Sequence, residues 1–127
     1  MIMCTRGQEL CVVMDKPSSR TFADEGKQII TWESRKGLKT TEGGRQSAAT
    51  ILEHEFDHAV DNLKNGSAHR LRSNTYNEQY DNEEEKRVIE GSEAKTALSH
   101  GEAVRKNHQG ETYETINPRS TIENKKR

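Results

Sequence analysis

The sequence ILEHEFDHAV, from Ile51 to Val60, contains the pattern H-E-x-x-H, which is formed by His54, Glu55 and His58. On an α-helix this spacing places the two histidines one turn apart and about 40° apart around the axis. Both imidazoles can therefore point at one ion, and Zn²⁺ accepts neutral imidazole as a ligand. Glu55 is offset around the helix, where it can act as the general base on a zinc-activated water.

The residues around this pattern predict an amphipathic helix from Ala48 to Lys64. Apolar side chains recur at helical spacing and form one stripe: Leu52, Phe56, Ala59 and Leu63. Ser47 suits the N-cap of this helix, and Gly66 suits its C-terminal stop. The helix is expected to have one buried side and one side that carries the histidines.

Composition limits the class of protein. The chain has 127 residues, of which 29% are apolar and 32% are charged, and its formal net charge is −1. Leu, Ile, Val and Phe together make up about 16% of the chain, which is low for a packed domain. A small core with a metal ion as a staple is therefore expected. The pI near 6.5 provides no basic field for nucleic acid.

The sequence also bears on location and on the redox state of the cysteines. The sequence has no apolar run long enough to cross a membrane and no signal-peptide pattern at its N-terminus. We therefore expect a cytoplasmic protein or one exported by a dedicated secretion system. Cys4 and Cys11 are the only cysteines, and we expect them to be reduced rather than joined to each other.

The rest of the chain predicts an α+β domain, with a short antiparallel sheet packed on the H-E-x-x-H helix. Strands are predicted at Leu10–Met14 and Gln28–Glu33, and helical composition returns from Glu83 to Ser99, with a break expected at Gly91. Loops are predicted at 15–26, 36–44 and 67–82. The apolar-poor segment 109–127 is expected to be a mobile tail, which places the domain at residues 1–108.

Three segments together resemble the effector-type zinc metallopeptidases of bacteria, which include NleD-like effectors and toxin domains of polymorphic toxins. They are Ile30–Trp32, the run from Ser47 to Ala59, and the downstream stretches Glu84–Gly91 and Gly101–His108. The resemblance covers about residues 28–110 and implies a minimal zincin-like fold. It also implies that His54 and His58 bind zinc, that Glu55 is the catalytic base, and that a carboxylate after the motif is the third ligand.

Two roles are open for the strand predicted at 28–33. An edge strand beside the cleft of such peptidases pairs with an extended substrate, whereas an ordinary core strand would bury Trp32. The longer pattern of metzincins is excluded, because Asp61 and Lys64 stand where that pattern needs glycine and histidine. Asp61 lies one turn beyond His58 and either holds the second nitrogen of its imidazole or is a solvated charge.

We predict Glu85 as the third zinc ligand, with Glu84 as the alternative. Both carboxylates open the predicted helix, about 25 residues after the motif, which leaves enough chain for a return to the first helix. Val88 lies at i+3 from Glu85, so a docked Val88 would turn Glu85 inward. Weaker candidates are Glu90, Asp81 and His108, and the acidic run also suits a solvated helix N-terminus.

The function expected from these residues is a zinc-dependent endopeptidase acting on a protein or peptide, such as one of a host or competitor cell. His108 or Arg105 are candidates for stabilising the oxyanion, and His69 and His100 are expected at the surface. Two other functions stay open. One is a non-catalytic binding module in which zinc only stabilises the fold, and the other is a zinc hydrolase of a non-peptide bond.

Overall fold

A 17-residue helix, α1 (Ala48–Lys64), lies at the centre of the protein. The structure is a computed structural model that describes residues 1–125. The predicted bounds of α1 are confirmed, and so is its N-cap, because the Ser47 hydroxyl accepts a hydrogen bond from the Thr50 N–H. Its other end differs slightly from expectation: Asn65 caps α1, and Gly66 begins the next helix.

The described residues form an α+β domain with short strands and helices. The strands are β1 (Ile2–Cys4), β2 (Leu10–Met14), β3 (Arg20–Asp24), β4 (Lys27–Trp32), β5 (Lys36–Lys39), β6 (Arg45–Gln46), β7 (Tyr76–Asn77), β8 (Asp81–Asn82) and β9 (Glu111–Glu114). The other helices are α2 (Gly66–Ser73), α3 (Glu83–Val88), a π-helical turn (Ile89–Glu93) and α4 (Ala94–Ser99). None of the helices within residues 1–125 has the length and apolar character needed to span a bilayer.

The first sheet has the strand order β1-β2-β4-β3. It was expected to be antiparallel, but it is mixed, because β2 and β4 run parallel. Strand β4 lies between β2 and β3. The edge strand that contacts α1 is β3, which was predicted as loop. A two-residue turn at Glu25 and Gly26, both with positive φ, joins β3 to β4, as hairpin geometry requires.

Residues of the first sheet pack against α1 to form a small apolar core. Leu10, Ile30 and Ala59 are buried there, and Leu52 and Phe56 of the predicted stripe pack on them. Leu63, predicted in the same stripe, is 40% exposed. The Trp32 indole donates to the Ala48 carbonyl at 2.9 Å, which ties β4 to the start of α1.

The second sheet, β6-β5-β9, corrects two loop predictions. Strand β5 lies in the segment 36–44, and β9 lies in the segment expected to be a mobile tail. Tyr113 and Thr115 are buried, and the Pro118 carbonyl accepts from the Ala49 N–H at 2.8 Å. The Asn124 N–H in turn donates to the Glu114 carbonyl at 2.8 Å, and 126 and 127 of the predicted tail lie outside the described residues.

Two further expectations need correction. The segment 67–82 contains α2 and the β7-β8 hairpin instead of one loop. Cys4 and Cys11, expected to be reduced, form a disulfide, because they are directly paired across β1 and β2.

Candidate metal centre

The side of α1 that faces away from the apolar core carries three buried, ionisable side chains. His54, Glu55 and His58 are 3%, 8% and 7% exposed. The Nε2 atoms of His54 and His58 lie 3.0 Å apart, so the two imidazoles converge on one point as their spacing predicts.

Helix α3 brings Glu85 to that point. Its Oε1 lies 2.9 Å from His54 Nε2 and 3.1 Å from His58 Nε2. The Asn82 side chain caps α3 by accepting from the Glu85 N–H at 2.9 Å, which fixes the backbone of this residue. The three donor atoms are almost as far apart as atoms that share one tetrahedral zinc ion, for which bonds of about 2.0–2.1 Å give separations of about 3.3 Å.

A carboxylate holds the opposite nitrogen of each imidazole. His54 Nδ1 lies 2.7 Å from Glu93 Oε1, and His58 Nδ1 lies 2.8 Å from Glu84 Oε2. Each Nδ1–H can donate to its carboxylate, which leaves both Nε2 lone pairs directed at the shared point. This is the usual environment of metal-binding histidine, and it places Glu84 behind His58 instead of among the three converging donors.

Glu93 is fully buried, and its charge is balanced by Arg105. The Arg105 Nε donates to Glu93 Oε2 at 2.9 Å, and its Nη2 donates to Oε1. Burial raises the pKa of Glu93, but the hydrogen bonds from Arg105 and His54 lower it to about 2 overall. Arg105 is itself only 9% exposed, so the pair is an internal support for His54.

Glu84 has two cationic partners of its own. Arg72 donates to Glu84 Oε1 at 2.8 Å, and Arg87 donates to Oε2 at 2.8 Å. Burial raises the pKa of Glu84, but the hydrogen bonds from His58, Arg87 and Arg72 together hold it well below its usual range. This carboxylate is therefore ionised when it holds His58.

Asp61 does not have the role that its position suggested. It bonds His69 Nδ1 at 2.9 Å and also accepts from Arg72, while Glu84 occupies the position behind His58. Asp61, His69 and Glu84 lie close enough to hold a second ion, but Arg72 and Arg87 already neutralise these carboxylates. The group is an ion-pair network, and it also buries most of the His69 side chain.

The surrounding protein groups raise the pKa of both converging histidines. Burial lowers the pKa of His58, and its hydrogen bonds to Glu84 and Glu85 outweigh burial and raise it to about 10. Burial likewise lowers the pKa of His54, while Glu85 and Glu93 raise it. The same atoms can thus hold protons or a cation, and a metal ion would have to displace the protons.

Glu55 points its two carboxylate oxygens in different directions. Oε1 accepts a hydrogen bond of 2.7 Å from the Thr21 hydroxyl of β3. Oε2 lies 3.9 Å from His54 Nε2, on the side of the three donors. Glu55 therefore lies beside the candidate metal centre without being one of the donors, as its place in the motif predicts.

His108 approaches the same centre from the other half of the chain. Its Nε2 lies 3.3 Å from Glu85 Oε1, and its Nδ1 lies 2.6 Å from Asp81 Oδ2. The His108 ring lies parallel to that of His54, with 6.2 Å between centroids. Glu90, a weaker candidate for the third ligand, is exposed and accepts from the Tyr80 hydroxyl instead of meeting the two histidines.

His100 lies at the surface, as the sequence predicts. Its side chain is exposed, and its Nδ1 lies 3.3 Å from the Thr50 hydroxyl near the start of α1. It therefore takes no part in the candidate metal centre.

Two cavities flank the centre. One, of about 270 Å³, is lined by His54, Glu55 and His108 together with Lys36, Leu38 and Ile51. The other, of about 180 Å³, is lined by Glu55, His58 and Glu85 together with Thr21, Phe22 and Ala23 of β3. The candidate metal centre therefore lies between two open spaces and is accessible to a ligand.

Sequence reasoning missed Glu93 and Thr21. Glu93 lies eight positions after Glu85, and a straight helix would turn it about 80° away. The backbone leaves helical values at Gly91 (φ −100°, ψ −106°), and beyond this kink Glu93 meets His54. Gly91 is the signal of the kink in the sequence. For Thr21, the signal was the Glu25-Gly26 turn that closes the hairpin of β3 and β4.

Comparison with protein-family models, characterised proteins and solved structures gives no match for this chain. The function of the protein is therefore inferred from the geometry of the candidate metal centre.

Proposed function

We propose that the protein is a zinc-dependent metallopeptidase with a minimal zincin-like fold. The observation that carries this proposal is the convergence of His54, His58 and Glu85 within 3.1 Å of one another, with Glu55 beside them. Two neutral imidazoles and one carboxylate are a common ligand set of catalytic zinc in peptidases. A zinc ion held there would supply Lewis-acid activation of a water and of a peptide carbonyl.

Glu55 has the position needed for proton transfer. Its Oε2 faces the three donors, so it can take a proton from the attacking water and deliver it to the leaving amine. A site that only stabilises the fold needs no general base beside its ligands, whereas Glu55 keeps one oxygen directed at the three donors. The presence of Glu55 and of the two cavities therefore favours an enzyme over a non-catalytic zinc module.

The edge of the first sheet offers a place for the substrate backbone. Strand β3, rather than the predicted strand at 28–33, lies at the sheet edge and lines the cavity that contains Glu55 and Glu85. An extended peptide can add to such an edge through main-chain hydrogen bonds that accept many sequences. This supports a protein or peptide as the substrate.

His108 is the better of the two predicted candidates for oxyanion stabilisation. Both side chains line the cavity beside Glu55, but Arg105 is already engaged by buried Glu93. Its hydrogen bond to Asp81 holds the ring with Nε2 toward the centre. When Nε2 also carries a proton, it can donate a hydrogen bond to the negative charge that develops on the scissile carbonyl oxygen.

The experiment that tests the proposal compares wild-type protein with Glu55→Gln on a mixed proteome, after both are loaded with zinc. The amide keeps the shape of the carboxylate but has no basicity, so Glu55→Gln should keep zinc and fold while losing cleavage. New peptide N-termini detected by mass spectrometry should appear only with wild-type protein. Identical peptide patterns from the two proteins would contradict the proposed function.

A further inference from the structure

We propose that Thr21 is the positioning residue of Glu55, and that its hydroxyl holds one carboxylate oxygen of Glu55 so that the other faces the metal centre. This inference depends on the proposed function for its catalytic meaning. The contact itself joins two elements far apart in the sequence, because Thr21 lies on the edge strand β3 and Glu55 lies on α1, 34 residues later.

The hydroxyl of Thr21 has two acceptors within reach. Glu55 Oε1 lies at 2.7 Å and the Glu55 carbonyl oxygen lies at 3.0 Å. A hydroxyl has only one proton to donate, and a charged acceptor forms the shorter and stronger hydrogen bond. The proton therefore belongs to the bond with the carboxylate, and the carbonyl is a secondary contact.

This bond makes the two oxygens of Glu55 unequal. With Oε1 held by β3, rotation of the carboxylate is restricted and Oε2 stays directed at the side of His54 Nε2. Without the bond, the carboxylate could rotate so that neither oxygen faces an attacking water. A misplacement of about 1 Å at a reacting group can cost about a hundredfold in rate.

The position of Thr21 also connects the base to the proposed peptide-binding edge. Thr21 and its neighbours Phe22 and Ala23 line the cavity beside Glu55. Thr21 is paired in register with Ile30, a fully buried residue of β4, so its backbone is fixed by the core of the sheet. A peptide added to β3 would thus lie against the strand that orients the base.

The first test measures peptide cleavage by Thr21→Val and Thr21→Ser, with zinc content determined for each variant. Valine has the same shape without the hydroxyl, and serine keeps the hydroxyl. We expect Thr21→Val to lower kcat about ten- to a hundredfold with KM and zinc content unchanged, and Thr21→Ser to recover most of the rate. Thr75→Val is the matched control, since its hydroxyl also bonds a carbonyl, that of Leu71, away from Glu55.

Each contrary result overturns the inference. These results are an unchanged kcat in Thr21→Val, a change in KM alone, an equal loss in Thr21→Ser, or an equal loss in Thr75→Val. If wild-type protein and Glu55→Gln give the same peptide patterns, the proposed function fails, and the contact is then decided by a second test without substrate.

The second test is a double-mutant cycle on thermal stability, with Thr21→Val, Glu55→Ala and the double variant. If the hydroxyl bonds the carboxylate, Thr21→Val should lower the Tm clearly more in the wild-type background than in the Glu55→Ala background. Equal shifts in both backgrounds would show that the two side chains do not interact, and they would overturn the inference whatever the enzyme assay shows.

Discussion

The two histidines of α1 differ in the way their supporting carboxylates are held. Glu93, behind His54, is fully buried with the nearly buried Arg105. Glu84, behind His58, is also buried, but its cationic partners Arg72 and Arg87 are partly exposed. Both supports orient the imidazoles, whereas Glu85 touches the Nε2 atoms themselves. Glu84 and Glu85 should therefore differ in their effects on zinc binding.

We expect Glu85→Ala to weaken zinc binding more than Glu84→Ala does. The first variant removes one of the three proposed ligands, whereas loss of a supporting carboxylate typically costs about 10- to 100-fold in metal affinity. The measurement is competition with a chelator of known zinc affinity. The reverse order would make Glu84 the ligand, and unchanged affinity in both variants would remove this helix from the metal centre.

The helical segment that follows the β7-β8 hairpin contributes to this centre because it is irregular. Helix α3, the π-helical turn and α4 follow one another between residues 83 and 99. The sequence predicted a break at Gly91, and the structure confirms it. The break lets Glu85 and Glu93 face α1 together. Arg105 then reaches Glu93 from the chain beyond α4.

Arg105→Ala should destabilise the protein strongly, because it leaves the Glu93 carboxylate buried without its cationic partner. Removing one member of a buried ion pair typically costs about 3–5 kcal/mol in free energy of unfolding. Arg87→Ala is the control, since Glu84 keeps its bond to Arg72 and partly exposed pairs contribute about 1 kcal/mol or less. Urea denaturation of both variants gives the comparison, and equal losses would show that Arg105 is not an internal support.

The elements differ in how well sequence predicted them, for physical reasons. Helix α1 has a strong apolar period, a capping serine and a motif that functions only on a helix, so its bounds were predicted correctly. Strand β3 is an edge strand that buries few apolar side chains, and α2 has no buried residue, so neither has an apolar pattern to read. Strand β9 pairs with β5, more than seventy positions earlier in the chain, and local sequence carries no signal of such pairing.

The residues of the candidate metal centre were likewise predicted only in part. Local spacing on α1 placed His54, Glu55 and His58, and the contact of Glu85 with the two histidines agrees with its predicted position. Glu93 reaches α1 because of the kink at Gly91, and Thr21 reaches it through the β3-β4 hairpin. Those contacts are tertiary, and a single sequence does not define them.

At the scale of the whole molecule, the interior has an apolar half and an ionic half on opposite sides of α1. The apolar half is formed with the first sheet by residues such as Leu10 and Ile30. The ionic half contains the buried glutamates and their partners. The second sheet completes the domain, and its last strand, β9, was expected to lie outside it.

A chain that ends at Gln109 should therefore be much less stable than the full chain. The truncation removes β9, the buried residues Tyr113 and Thr115, and the Pro118 carbonyl that accepts from the first turn of α1. Thermal unfolding of both chains measures the effect, and we expect a lower Tm and a less cooperative transition. An unchanged Tm would instead support a tail that lies outside the domain.

The groups that meet around α1 lie far apart in the sequence, and this separation affects folding kinetics. His54 meets Glu93 across 39 positions, Glu55 meets Thr21 across 34, and Arg105 must be in place before Glu93 is neutralised. Such high contact order slows folding, because long loops must close before their contacts are formed. During translation, the ribosome must release the chain beyond Arg105 before this ionic cluster can assemble. A nascent chain that carries only the H-E-x-x-H helix would thus lack Glu85 and the supports of both histidines until the segment up to Arg105 has also been made.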